Sequence, residues 1–220
     1  MRDIRIADTY NLVTTFVDDH VREGRENRVA IYYGETAVTY GEVYRWVNRA
    51  GNALASLGVE MENRVFLLLP DSPELVYLFF GAMKIGAVPI PMNTRLTPGD
   101  YRYMLNDSRA KVVAVPAAMV PLMEELKPSL PFVRHYVVVG DGPPGYLNLG
   151  ELLAAASPEL DPAPTSKDDV AHWLYSSGST GAPKGVVHLH HDWLYCCELY
   201  ARSILSIDEN DVSISVSKLF

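Results

Sequence analysis

The stretch Tyr175-Ser176-Ser177-Gly178-Ser179-Thr180-Gly181-Ala182-Pro183-Lys184-Gly185 gathers hydroxyls, glycines and one ammonium group. Gly178, Gly181 and Gly185 let the backbone take positive φ and let a ligand come close, so successive N–H groups can converge on anionic oxygens. The hydroxyls of Ser176, Ser177, Ser179 and Thr180 add donors, and one of them can reach a metal ion. Lys184 adds a mobile point charge able to follow phosphate oxygens as negative charge moves onto a leaving group. The chemistry indicated is phosphate binding. The same composition is ordinary in a solvent-exposed turn between two strands, so composition alone leaves that second reading open.

Two familiar phosphate motifs fail here. Walker A needs Gly-x4-Gly-Lys-Ser/Thr, but the place five after Gly178 holds Pro183, and Lys184 precedes Gly185 rather than a hydroxyl residue. The dinucleotide fingerprint Gly-x-Gly-x-x-Gly fails because Ser176 stands two places before Gly178. Both motifs also need a helix N-terminus, whereas Gly185-Val186-Val187-His188-Leu189 reads as a strand.

The elements that must carry this loop follow from the patterning. Ala30–Tyr33 and Ala37–Tyr40 flank Gly34-Glu35-Thr36, which predicts a β-hairpin. Val43, Trp46, Val47, Ala50, Leu54 and Leu57 recur at helical spacing until Gly58, with Glu42, Arg45, Asn48 and Arg49 expected on the wet face. Apolar runs then alternate with helical segments: strands at 65–69, 88–91, 111–115 and 136–139, helices at 74–85, 98–107 and 120–126. Such alternation is the mark of βαβ units, and the fold class is α/β with mostly parallel sheets and flanking helices. Pro143, Pro144, Pro158, Pro162 and Pro164 mark 140–169 as the best internal break, with one short helix at 149–156. Beyond it, strands are expected at 170–175, 185–189 and 212–216, and a helix at 192–206. The apolar end Lys218-Leu219-Phe220 suggests a chain cut inside a domain.

Bulk properties narrow the classes. The net charge of -8 gives no basic surface for nucleic acid. The apolar region 65–92 is interrupted by Pro70, Asp71, Glu74, Lys84 and Pro89, so no membrane span is expected. The start of the chain lacks the apolar core of a secretion signal, and the only cysteines, Cys196 and Cys197, are adjacent; a reducing cytoplasm fits best.

Ser176-Ser177-Gly178-Ser179-Thr180-Gly181-Ala182-Pro183-Lys184-Gly185 resembles the signature of the acyl-adenylate-forming superfamily, the AMP-dependent synthetases and ligases. Val38-Thr39-Tyr40-Gly41-Glu42-Val43 is similar to its early Thr/Ser-Tyr-x-Glu segment, and Lys84-Ile85-Gly86-Ala87-Val88-Pro89-Ile90-Pro91 to its Lys-x-Gly-Ala-x-x-x-Pro segment. His172–Gly178 and Gly185–His191 are most similar to benzoate-type aryl-CoA ligases. The resemblance implies that a carboxylate attacks the α-phosphate of ATP, and that the acyl group passes from the adenylate to CoA. It implies that Ser177 to Gly181 wrap the β- and γ-phosphates, that Ala182 and Pro183 lead to Lys184 beside the departing pyrophosphate, and that Ser176 lies nearest Mg²⁺.

It implies, too, that residues 1–220 are an incomplete N-terminal AMP-binding domain. The Tyr-Gly-x-Thr-Glu segment, the ribose-binding Asp, the hinge and the catalytic Lys of the C-terminal domain are absent, so this piece alone is expected to be inactive. Fatty-acyl or peptide-synthetase-type activation uses the same loop and stays open beside the aryl reading, as does a non-catalytic nucleotide-binding remnant. His188, His190 and His191 lack the matching ligand pair of a zinc site and read as packing and turn residues. Cys196 and Cys197 read as packed side chains, Trp46, Trp173 and Trp193 as packed in the interior or between elements, and Lys84 and Arg95 as exposed charges at element ends.

Overall fold

The computed structural model describes residues 4–176 and 181–219. The first hairpin forms as expected, β1 (Val29–Tyr33) antiparallel to β2 (Thr36–Thr39). A short helix, α1 (Asp19–Arg22), precedes it. Thr39 then starts α2 (Tyr40–Ser56) through a capping box: Thr39 Oγ1 accepts from Glu42 N–H at 3.2 Å, and Glu42 Oε2 accepts from Thr39 N–H at 2.8 Å. Gly58, at φ +75°, turns the chain out of this helix.

The chain next builds β3 (Arg64–Leu67), α3 (Pro73–Lys84), β4 (Val88–Pro91), α4 (Pro98–Ser108), β5 (Val112–Pro116), α5 (Val120–Leu126), β6 (His135–Val139), β7 (Leu147–Asn148) and α6 (Leu149–Ala155). Ser72, Thr97 and Asn148 cap α3, α4 and α6 with side-chain oxygens, and Pro73 and Pro98 occupy first-turn positions where no N–H is missed. The strands form one parallel sheet in the order β4-β3-β5-β6-β7.

Alternation along the strands divides the core. Val65, Leu67, Val112, Ala114 and Val137 face α2, α3 and α6, while Phe66, Val113, Val115 and Val138 face α4 and α5. Helices thus cover both faces, as the α/β reading expected. Gly51 and Gly81 let α2 and α3 cross at backbone distance: a Cβ on Gly81 would stand 2.8 Å from the Gly51 nitrogen.

Two expectations about polar residues are overturned where these helices meet. Lys84 is fully buried, not exposed, and donates to Asp18 Oδ1 at 2.6 Å and Asn48 Oδ1 at 2.7 Å. Asn48 sits at 0% exposure, off the wet face assigned to it, and its amide donates to Pro158 O at 2.7 Å. Burial pushes Lys84 down and Asp18 up; their mutual hydrogen bond opposes both shifts. Trp46, 36% exposed, packs between elements, stacked on Tyr77 of α3.

The segment 156–165 runs along α2 and α3. Arg49 donates to Leu153 O and Ala156 O, and Ala163 N–H donates to Lys84 O at 2.7 Å.

After it come β8 (Val170–Ser176), β9 (Lys184–Leu189) and α7 (Asp192–Cys196), which continues as one wide turn over Cys197–Arg202. The helix is therefore shorter than the expected 192–206, and Cys196 is exposed. The expected strand at 212–216 is absent: Val212, Ile214 and Val216 are 76%, 91% and 96% exposed. The alternation is present, but no neighbouring strand among the described residues supplies the hydrogen bonds a strand needs.

Candidate functional site

The loop singled out by its residue types closes an antiparallel hairpin. β8 pairs β9 with Ser176 opposite Lys184, Tyr175 opposite Gly185 and His172 opposite His188. Opposed residues of an antiparallel pair leave the sheet on the same face with Cβ atoms about 5 Å apart. Ser176 and Lys184 therefore leave the hairpin on one face at the loop's mouth, both exposed.

Gly181 takes φ +151°, with nothing among the described residues within 4 Å of a Cβ placed there, and Ala182 is exposed beside it. Pro183, half-buried, leads into β9. Ser177, Gly178, Ser179 and Thr180 lie outside the described residues, so the expected wrapping of phosphate by 177–181 is carried forward as a proposal.

The two faces of the hairpin are held differently. On one face Tyr175 donates its hydroxyl to Asp107 Oδ2 at 2.6 Å, fastening the strand to the last turn of α4. Burial and this carboxylate together push the Tyr175 phenol well above its usual range, so it stays a neutral donor. Trp173, on the same face, packs against Gly185, where a Cβ would come within 3.3 Å of the indole.

On the opposite face His172 stacks on His188 with ring centroids 4.6 Å apart. A cavity of about 530 Å³ opens there, walled by Phe79, Phe80, Leu174 and Trp193 as well as the two imidazoles. Its lining suits an apolar planar group.

Burial lowers His172 to about 4, with the neighbouring His188 adding to the shift, and burial lowers His190 to about 4. His190 Nδ1 accepts from Leu12 N–H at 3.1 Å, which places the ring proton on Nε2. His190 is thus a neutral brace between the hairpin and the start of the chain. His188 is half-buried, less enclosed than the core position expected for it.

Motif reading missed the Tyr175–Asp107 anchor, because the partners lie 68 residues apart. It missed the cavity for the same reason, since α3 and α7 meet only in the folded chain.

Among the described residues, no group of three or more His, Cys, Asp and Glu side chains is placed to hold a metal. At the hairpin's mouth Ser176 offers one neutral oxygen. Mg²⁺ requires several hard oxygen ligands with near-octahedral geometry. The described donors do not by themselves fit the ion.

The fold is an α/β domain whose last hairpin carries the Ser/Thr/Gly-rich loop, and comparison with known proteins identifies the family. The family model described as "AMP-binding enzyme" matches residues 17–220. A 4-hydroxybenzoate–CoA/benzoate–CoA ligase of Rhodopseudomonas palustris is 44% identical over 96% of this chain and 39% of its own length. A benzoate–CoA ligase of Thauera aromatica is 42% identical over 99% of this chain and 41% of its own.

Among solved structures, an anthranilate CoA ligase, AuaEII, in complex with anthranoyl-AMP superposes with a TM-score of 0.86 at 36% identity, over 90% of this chain and 38% of that one. A benzoate CoA ligase from Burkholderia xenovorans LB400 gives 0.85 at 37% identity, over 96% and 40%. The chain belongs to the AMP-binding enzyme family. It spans about 40% of the length of the relatives it matches.

Proposed function

We propose that this chain supplies the triphosphate-holding part of an acid–thiol ligase that activates an aryl carboxylic acid, such as benzoate, with ATP and passes the acyl group to CoA. The observation that carries the proposal is the register of β8 and β9, which sets Ser176 and Lys184 side by side at the two ends of a glycine- and hydroxyl-rich loop. In this reading the amides and hydroxyls of 177–181 hold the β- and γ-phosphates. Lys184 neutralises charge that builds on pyrophosphate as the carboxylate displaces it from the α-phosphate. Mg²⁺ would neutralise part of the triphosphate charge; it arrives with the nucleotide, and Ser176 contributes one oxygen at most. Transfer to CoA and the choice of acid need groups beyond those described. The aryl assignment is supported by the names of the relatives at 42–44% identity and by the aromatic wall of the cavity behind the hairpin.

Benzoate-dependent ATP–pyrophosphate exchange in the whole protein tests the proposal. Lys184→Ala is expected to lower the exchange rate by roughly a hundredfold, the scale for removing one donor to developing charge. An unchanged rate removes Lys184 from the mechanism.

A further inference from the structure

The N-terminal ends of three neighbouring strands carry a row of cations. Lys111 N–H donates to Arg64 O at 2.9 Å, and Arg134 N–H donates to Lys111 O at 2.8 Å. The ladder continues with Val65 opposite Val112 and Val112 opposite His135. Arg64, Lys111 and Arg134 are thus consecutive neighbours across β3, β5 and β6, about 4.8 Å apart along the hydrogen-bonding direction. A fourth cation, Arg109, follows the last turn of α4 in left-handed backbone, at φ +50°. The four line one cavity of about 250 Å³, with Phe132 on its wall and, among the described residues, Glu60 as its one acidic lining residue.

Like charges set side by side on a sheet cost stability unless something neutralises them. Here the groups that accept the cations' hydrogen bonds position them without neutralising them. Arg64 Nε donates to Ser108 O at 2.6 Å and its Nη1 to Glu62 O at 2.7 Å. Lys111 Nζ donates to Gly58 O and to Asn63 Oδ1. Arg109 lies over the Phe132 ring, 5.5 Å from its centroid.

These acceptors are neutral, and among the described residues none of the four cations forms a salt bridge. Exposed Arg22 and Arg202 and half-buried Lys127, by contrast, each have a carboxylate within 4 Å. Four forked and point-charge donors around one cavity, against the single carboxylate of Glu60, match a compact tetrahedral polyanion better than a single carboxylate, which would leave most of the charge uncompensated.

We propose that this cavity is an anion site for a phosphate group, free as orthophosphate or pyrophosphate or at the end of a small metabolite. It is built from elements other than the β8–β9 hairpin, and it stands or falls independently of the role given to Lys184.

Equilibrium dialysis of the whole protein at low ionic strength tests it, with inorganic pyrophosphate and orthophosphate as separate probes. The background is Lys184→Ala, so that the hairpin loop loses its own charge. The site is expected to bind pyrophosphate more tightly than orthophosphate in this background. Adding Arg109→Asn and Arg134→Gln should weaken binding by roughly tenfold or more, since two charge-assisted contacts are lost. Asparagine is chosen at 109 because it tolerates left-handed backbone.

Should that variant melt earlier than its parent, Arg134→Gln alone serves. The Arg134 side chain is exposed, has no partner among the described residues, and is expected to weaken binding by roughly threefold. Absence of binding in the Lys184→Ala background, or equal affinity in the arginine variants, overturns the proposal. Binding of a glutamate decapeptide with no binding of either phosphate probe overturns it too, and assigns the face to an acidic protein.

Discussion

The five-stranded sheet and the β8–β9 hairpin solve opposite problems with similar residues. In the sheet body a lysine is enclosed: Lys84, at 0% exposure, is held by Asp18 and Asn48 and has Tyr44 4.8 Å from its ammonium. In the hairpin a lysine is presented: Lys184 stands exposed at the end of a strand, opposite Ser176. The first ammonium is fixed in place by protein partners, which suits a structural tie between the start of the chain, α2 and α3. The second is left available for a ligand, and stability there comes from anchors placed one residue away, above all Tyr175 on Asp107. Burial, not residue type, separates the two roles.

That contrast breaks most visibly at Lys84. Removing the ammonium leaves a buried carboxylate, and Lys84→Met is expected to cost about 3–5 kcal/mol. Lys84→Met combined with Asp18→Leu should recover most of the loss, because replacing both partners removes the unpaired charge. Chemical denaturation of both variants checks this, and equal stability of single and double variants would show that the pair does not act as a unit.

Acid separates the regions next. His172 and His190 remain neutral in the folded hairpin down to about 4, whereas in the unfolded chain a histidine takes its proton near 6.5. Between those values the unfolded state binds more protons, so stability is fully present above about pH 6.5 and falls as the pH drops towards 4. The loss is up to about 3 kcal/mol per histidine. Stability measured at intervals across that range should show the slope, and His172→Phe, which keeps a ring in place, should flatten it. A slope unaffected by the substitution would mean that His172 is not held neutral.

The smallest expected effect belongs to the anchor. Tyr175→Phe removes one hydrogen bond to a carboxylate and should cost about 1.5–3 kcal/mol, read as a lower denaturation midpoint. Its consequence for function is sharper: pyrophosphate exchange should fall while the sheet body's amide-exchange protection stays unchanged. A variant that loosens both regions equally would dissolve the distinction between them.

How much of this was legible in the sequence follows the same divide. Helical spacing of apolar residues announces α2, α3 and α4, and in the structure Thr39 with Glu42, Ser72 and Thr97 cap their starts, α2 beginning at Tyr40, which the strand pattern had claimed. β-Branched runs between those helices predict the parallel strands for the same reason.

Lys84 was misjudged because its neighbours in sequence make it look like a helix-end charge, while Asp18 lies 66 residues away. Asn48 was assigned to a wet face because the apolar stripe of α2 does not record the segment that covers its other side. The run Val212-Ser213-Ile214-Ser215-Val216 has the alternation of a strand, yet alternation specifies which face is buried and not whether a partner is there. At the candidate site the loop's residue types pointed to phosphate, and the register that pairs Ser176 with Lys184 adds the geometry. Gly181, Ala182 and Pro183 fall within the described part of that loop, and 177–180 do not.

The central claim is that the Lys184 ammonium sits against the triphosphate of ATP. Amine-reactive labelling of the whole protein, read by mass spectrometry with and without ATP and Mg²⁺, addresses it directly. The account predicts that nucleotide protects Lys184 strongly while Lys218, already beside Asp71 at 3.6 Å, labels equally in both conditions. Labelling of Lys184 at the same rate with saturating ATP would contradict it.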